Sequence, residues 1–203
     1  MQKRIFSASA IERIFKNIFL FAVCSLLLGC VYNVDFKTPD QYKYSMALPL
    51  NVGFHMNKTL VGQMYSGRAV SSGIANRWDV PVGKVTHDYA ISYLKGGFTG
   101  FTDLDALDKS DGYDAVIEVT EINYYMQGQA AHSDITITAH DRSGRKLVDK
   151  KYHSDGPSGF GRVFAAGAFA QKSAIRQSTH VVMEKIFKDF MVDFASNFEM
   201  VIK

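Results

Sequence analysis

Tyr113-Asp114-Ala115-Val116-Ile117-Glu118-Val119-Thr120-Glu121-Ile122-Asn123-Tyr124-Tyr125-Met126-Gln127 decides the fold class. Its apolar and polar residues alternate with a period of two, the signature of a strand with one buried face. Ala115, Ile117 and Val119 are expected on one face, with Val116, Glu118, Thr120, Ile122 and Tyr124 on the other. Downstream, Ser133 to His140 alternates through Ile135, Ile137 and Ala139, and Asp141-Arg142-Ser143-Gly144 reads as a hairpin turn into a strand over Lys146 to His153. Three such strands make an antiparallel meander.

Working outward, the chain supplies helices to cover that sheet. Pro81 to Lys95 reads as a helix with Asp79 as its cap, Pro81 in its first turn and Gly96-Gly97 as its stop. A short strand over Phe98 to Thr102 follows. After Gly156-Pro157-Ser158-Gly159 and a small-residue stretch, Val163 to Ala170, a long helix runs to about Phe198. Ile175, Val182, Ile186, Phe190, Phe194 and Phe198 form its apolar stripe, widened by Met183, Phe187 and Met191. Upstream, Tyr44 to Val52 alternates with Tyr44, Met46, Leu48, Leu50 and Val52 on one face, and Pro49 signals an edge or a bulge. Residues 53–80 show no sustained period and are expected to be mostly loop, with a short strand near Arg68 to Ser71. The expected fold is α+β: a mostly antiparallel sheet of four or five strands with two helices on one face.

The N-terminus reads as an export signal. Lys3, Arg4, Arg13 and Lys16 precede an apolar run from Ile18 to Leu28. Eleven helical residues rise about 16 Å, roughly half of a hydrocarbon core, so the segment suits a signal peptide better than a membrane span. Leu27-Leu28-Gly29-Cys30 closes it and resembles the lipobox of bacterial lipoproteins, although Leu28 stands where a small residue is usual. The resemblance implies cleavage after residue 29, lipid on Cys30, and a periplasmic location; Val31 rather than Asp after the cysteine points to the outer membrane. Residues 30–42, with Pro39, are expected to form a flexible tether, and 43–203 a single domain.

Removing the leader changes the charge balance. The 23 basic and 20 acidic residues become 19 of each, so the mature chain is neutral. A nucleic-acid partner loses its support, because that binding needs a concentrated basic surface. Cys24 goes with the leader and Cys30 is acylated, which leaves no thiol for a disulfide, thiol catalysis or a cysteine zinc site.

The order of elements, the opening Gly112-Tyr113-Asp114-Ala115-Val116-Ile117 and the turn Asp141-Arg142-Ser143-Gly144, set behind a lipobox, resemble small Gram-negative envelope lipoproteins of the YajG and ABC-transport-auxiliary kind. They are also similar to the α/β module shared by CsgG and the TolB N-terminal domain. The resemblance implies a non-enzymatic accessory or scaffold subunit of an envelope transport, secretion or assembly complex, often oligomeric. It carries over no catalytic residue, and neither a cofactor nor a metal is expected.

The search for chemistry yields little. His132 and Asp134 share a strand face, as two metal ligands or as solvated polar residues. No Gly-x-Ser-x-Gly elbow exists, and Ser158 is its nearest imitation. A hydrolase would need a cleft that brings a His and an Asp to Ser158. Aromatic residues number 26 of 203. Phe160, Phe164 and Phe169, among Ala and Gly with only Arg162 as a charge, together with Tyr124 and Tyr125, are candidates for a subunit contact or a surface turned to lipid. The alternative function is a binding module that uses exposed aromatics for envelope glycan or lipid.

Overall fold

The computed structural model describes Lys16 and residues 31–68, 77–107, 112–158 and 160–202; the side chains of 160–169 and 199–202 fall outside the description. The described elements run β1 (Val31–Asn33), β2 (Leu48–Met56), α1 (Lys58–Val61), β3 (Tyr65–Gly67), β4 (Arg77–Val80), α2 (Val82–Gly97), β5 (Phe98–Leu104), β6 (Ala115–Gln127), β7 (Ala130–Asp141), β8 (Lys146–Asp155) and α3 (Phe160–Ile202). A five-stranded sheet has the order β5-β2-β6-β7-β8, and a three-stranded sheet the order β1-β4-β3. The class is α+β as expected, but both sheets are mixed and there are three described helices, not two. β2 lies parallel to both β5 and β6, and β1 is parallel to β4. Only β6, β7 and β8 form the expected antiparallel meander. Parallel neighbours need a crossover, and α2 supplies one between β2 and β5.

β6 departs from the simple alternation at one residue. Val119 pairs with Ile137 and Glu121 with Thr136, so Thr120 is an inserted bulge residue. The insertion resets the phase. Ile122 and Tyr124, expected opposite Ile117, turn to the same buried face as Ala115, Ile117 and Val119, at 5% and 6% exposure. β7 keeps the expected faces, with Ile135, Ile137 and Ala139 buried, whereas β8 buries both Leu147 and Val148 and exposes Asp149 to Lys151. The turn between them is tied by Asp141, whose Oδ1 accepts from the Ser143 N–H, the Ser143 hydroxyl and the Arg145 N–H. The Ser143 hydroxyl and the other donors there pull the Asp141 carboxyl down to about 2.

β2 corrects the expectation of a half-buried strand over Tyr44 to Val52. It begins at Leu48, after an exposed Met46, and continues to Met56. From Val52 to Met56 every residue is buried, because β2 is central, with β5 and β6 on its flanks. A strand covered on both faces has no alternation to detect. Pro49 falls where the pairing with β5 is irregular, between Leu48 and Asn51. The described residues of 53–80 are also more regular than expected, with β2 ending there and α1, β3 and β4 following. Arg68 lies outside regular structure, and 69–71 of the expected short strand lie outside the described residues.

α2 starts at Val82 with Pro81 before it, but Asp79 does not cap it. Asp79 belongs to β4, and no side chain caps the helix. Its C-terminal glycines serve close approach: a Cβ on Gly96 would collide with the Tyr42 carbonyl, and one on Gly97 with the Met191 side chain. α3 includes the small-residue stretch that was expected to precede it. Ile175, Val182, Ile186, Phe190 and Phe194 are all at most 1% exposed, as their stripe predicts. The Ser178 hydroxyl accepts from the Ala131 N–H, and Asn197 donates to the Leu147 carbonyl. Nineteen helical residues rise about 28 Å, which matches nine strand residues at about 3.3 Å each. α3 therefore covers the length of β8, and its large apolar side chains each contribute about 1.5–3 kcal/mol by burial.

The segment expected to be a flexible tether is docked on the body. β1 pairs with β4 from Val31 onward, and Val34 is 1% exposed. Asp35 pairs with Lys172 at 2.7 Å, the Ser92 hydroxyl donates to the Asp40 carbonyl, and the Tyr42 N–H donates to the Ser92 carbonyl. Residues 31–42 thus pack as part of the folded body, on the near side of the boundary expected at 43. Docking wins over an extended tether because it buries the apolar surface of Val34 and Tyr42.

Candidate interaction surface

The expected anchor residues Leu27, Leu28, Gly29 and Cys30 lie outside the described residues. So do the side chains of Phe160, Phe164 and Phe169, whose backbone forms the first turns of α3. Tyr124 leaves the expected contact surface. The bulge at Thr120 turns it inward, where its hydroxyl meets the Thr179 hydroxyl at 2.8 Å and its ring meets Tyr65 edge-on. Burial pushes its phenol well above the ordinary value. Tyr125, the next residue, takes the opposite face and is half-buried, stacked on His132 with ring centroids 4.8 Å apart and planes 8° apart.

His132 and Tyr125 open onto the wet face of β6, β7 and β8, where strand register assembles a polar network. His132 and His153 come from neighbouring strands, and Asp134 pairs across from His153. His153 Nδ1 meets Asp134 at 2.8 Å and its Nε2 meets Asp155 at 3.1 Å. With an acceptor at each nitrogen, its charged form is favoured, and Asp134 foremost raises its pKa above 6.5. Asp155 also meets His132 at 2.5 Å, which lowers its own pKa. Sequence reasoning found His132 and Asp134 but missed His153 and Asp155, because β8 brings those two in from about twenty residues away. Among the described residues no three His, Cys, Asp or Glu side chains converge on a position that could hold a metal ion.

A second assembly lies where residues 35–43 cross α2 and α3. Two adjoining cavities of ≈ 570 and ≈ 560 Å³ share Lys37, Tyr89 and His180 as lining. The Tyr89 hydroxyl meets His180 Nδ1 at 2.5 Å, His180 Nε2 lies 3.5 Å from Glu184, and Lys188 holds Glu184 at 2.6 Å. Burial first, and Glu184 second, push the Tyr89 phenol up to about 12. A phenol held protonated is no nucleophile at neutral pH. Tyr42 and Tyr93 stack on each other with centroids 4.6 Å apart, and Tyr89 and Tyr93 are 5% and 4% exposed. Their ring faces are occupied by protein. The sequence signal that was passed over is the His180–Glu184 spacing of one helical turn. Ser158, the imitation nucleophile, donates its hydroxyl to the Gly128 carbonyl at 2.8 Å.

No family model and no curated protein matches the chain. Among solved structures, the crystal structure of a protein described only as uncharacterized is similar at 13% identity, covering 80% of this chain and 98% of that one with a TM-score of 0.41.

Proposed function

We propose that this chain is a lipid-anchored, non-enzymatic accessory or scaffold subunit of an envelope transport, secretion or assembly complex, held on the periplasmic side of the outer membrane through Cys30. One observation carries the reading: a basic-then-apolar leader ends in Leu27-Leu28-Gly29-Cys30. Such an ending fits a lipid anchor better than a linker between domains. It also sets the geometry. With residues 31–42 docked, the three-stranded sheet stands next to the bilayer, and partners are met close to the membrane surface. Among the described residues no helix is long and apolar enough to cross a membrane.

The alternative, a module that grips glycan or lipid with aromatic rings, has less support. Tyr89 and Tyr93 line the groove but are buried, Tyr93 stacked on Tyr42 and Phe187 and Tyr89 against His180. Protein contact remains the reading that needs no free ring face.

The test is metabolic labelling with a palmitate analogue, followed by membrane fractionation and mass measurement of the N-terminus. The natural chain should carry label, begin at residue 30 and fractionate with membranes. Cys30→Ala should be unlabelled and retain its leader. A natural chain that never takes label would overturn the reading.

A further inference from the structure

We propose that β5 is a self-association edge, at which a second copy of this chain continues the five-stranded sheet across a two-fold axis. The two edges of that sheet differ in kind. β8 carries Lys146, Lys150 and Lys151 with Asp149 and Asp155, the mixed charge that discourages strand addition. Lys150 is held by Asp193 and Lys151 by Glu121, so these charges are fixed beside the edge. β5, Phe98-Thr99-Gly100-Phe101-Thr102-Asp103-Leu104, has no Lys, Arg or Pro. Its single charge, Asp103, meets His87 of α2 at 3.1 Å. Among the described residues, no backbone group outside the sheet hydrogen-bonds to 98–104, and β2 is the strand's one neighbour.

The edge is complementary to itself. An antiparallel pair centred on Phe101 uses all seven residues and places Phe101 opposite its own copy. Thr99 then faces Asp103 of the second copy, and Gly100 faces Thr102. No like charges meet, and one aromatic pair forms at the axis, a cross-strand pair of a kind that stabilises a sheet. A two-fold axis perpendicular to the sheet keeps the α2 and α3 layers of both copies on one side of the joined sheet. The edges of the three-stranded sheet offer only three residues each. A seven-residue edge buries less than the 1,200–2,000 Å² typical of tight interfaces, so the dimer dissociates on dilution. This inference does not depend on lipid at Cys30.

Sedimentation equilibrium of the full-length chain in detergent, over a concentration series, tests it with two substitutions at exposed Thr99. By symmetry each dimer holds two such positions opposite Asp103, and a cross-strand charge pair is worth about 0.2–1 kcal/mol. Thr99→Asp should weaken the dimer about fivefold, and Thr99→Lys should tighten it by a similar factor. Association through the apolar N-terminal segment would ignore the sign of that charge. In the Cys24→Ala, Cys30→Ala background, Phe101→Cys should form a disulfide-linked dimer, and Lys150→Cys on the β8 edge should not. A chain that stays monomeric throughout, an association indifferent to position 99, or both Thr99 substitutions moving it the same way would each overturn the proposal.

Discussion

Deleting one residue from β6 should be nearly harmless at one position and severe two residues away. Thr120 is the inserted residue of the bulge, between Val119, paired with Ile137, and Glu121, paired with Thr136. Removing it leaves Val119-Glu121-Ile122, an ordinary in-out-in sequence that keeps Val119, Ile122 and Tyr124 on the buried face. The expected loss is below about 1 kcal/mol, from changed local twist alone. Removing Glu118 also shortens the strand by one and also absorbs the bulge, yet it turns Val119 outward and drives Thr120 into its place. Val119 is 0% exposed. Losing its burial costs about 1.5–3 kcal/mol, and placing an unpartnered hydroxyl there adds about 1–3 kcal/mol. The sum, about 2.5–6 kcal/mol, is a large part of the 5–15 kcal/mol a domain of this size has to lose. Urea unfolding followed by far-UV circular dichroism measures both deletions against the parent. Equal losses, or a greater loss for the Thr120 deletion, would refute the bulge assignment and the phase reset it produces.

Three further outcomes rest on single contacts. Gly83→Ala should lose roughly 2 kcal/mol in the same assay despite alanine's better helix propensity, because the added Cβ collides with the Leu60 and Val61 backbone of α1. Ser178→Ala should cost about 1–3 kcal/mol by leaving the buried Ala131 N–H without an acceptor. His153 should titrate above 6.5 by NMR, as Asp134 and Asp155 face its two nitrogens. Its contribution to stability is complete below pH 6.5 and disappears as pH rises through the raised folded value, so the gap between the natural chain and His153→Gln should shrink across that window.

Groups close in sequence were legible. The α3 stripe, the β7 alternation and the Asp141 turn depend on periods of 3.6 and 2 or on a side chain reaching two to four residues along, and a linear reading contains those. Tyr124 shows where it stops. Its assignment to the wrong face came from one extra residue, and a bulge is recognised by the partner strand it opposes. The His153 and Asp155 half of the polar network was missed for a similar reason, since strand register alone sets those side chains beside His132 and Asp134.

By itself the sequence determined the basic-then-apolar N-terminal segment with its Leu27-Leu28-Gly29-Cys30 ending, the neutral charge of residues 30–203, the α+β class and the helix that covers the meander. Tertiary structure decided that β2 is central and parallel to its neighbours, since a strand buried on both faces carries no period to read. It decided, too, that residues 31–42 are part of the body. Docking depends on Lys172, Ser92 and Asp79, residues far along the chain that supply the ion pair and hydrogen bonds a free tether would have left to water.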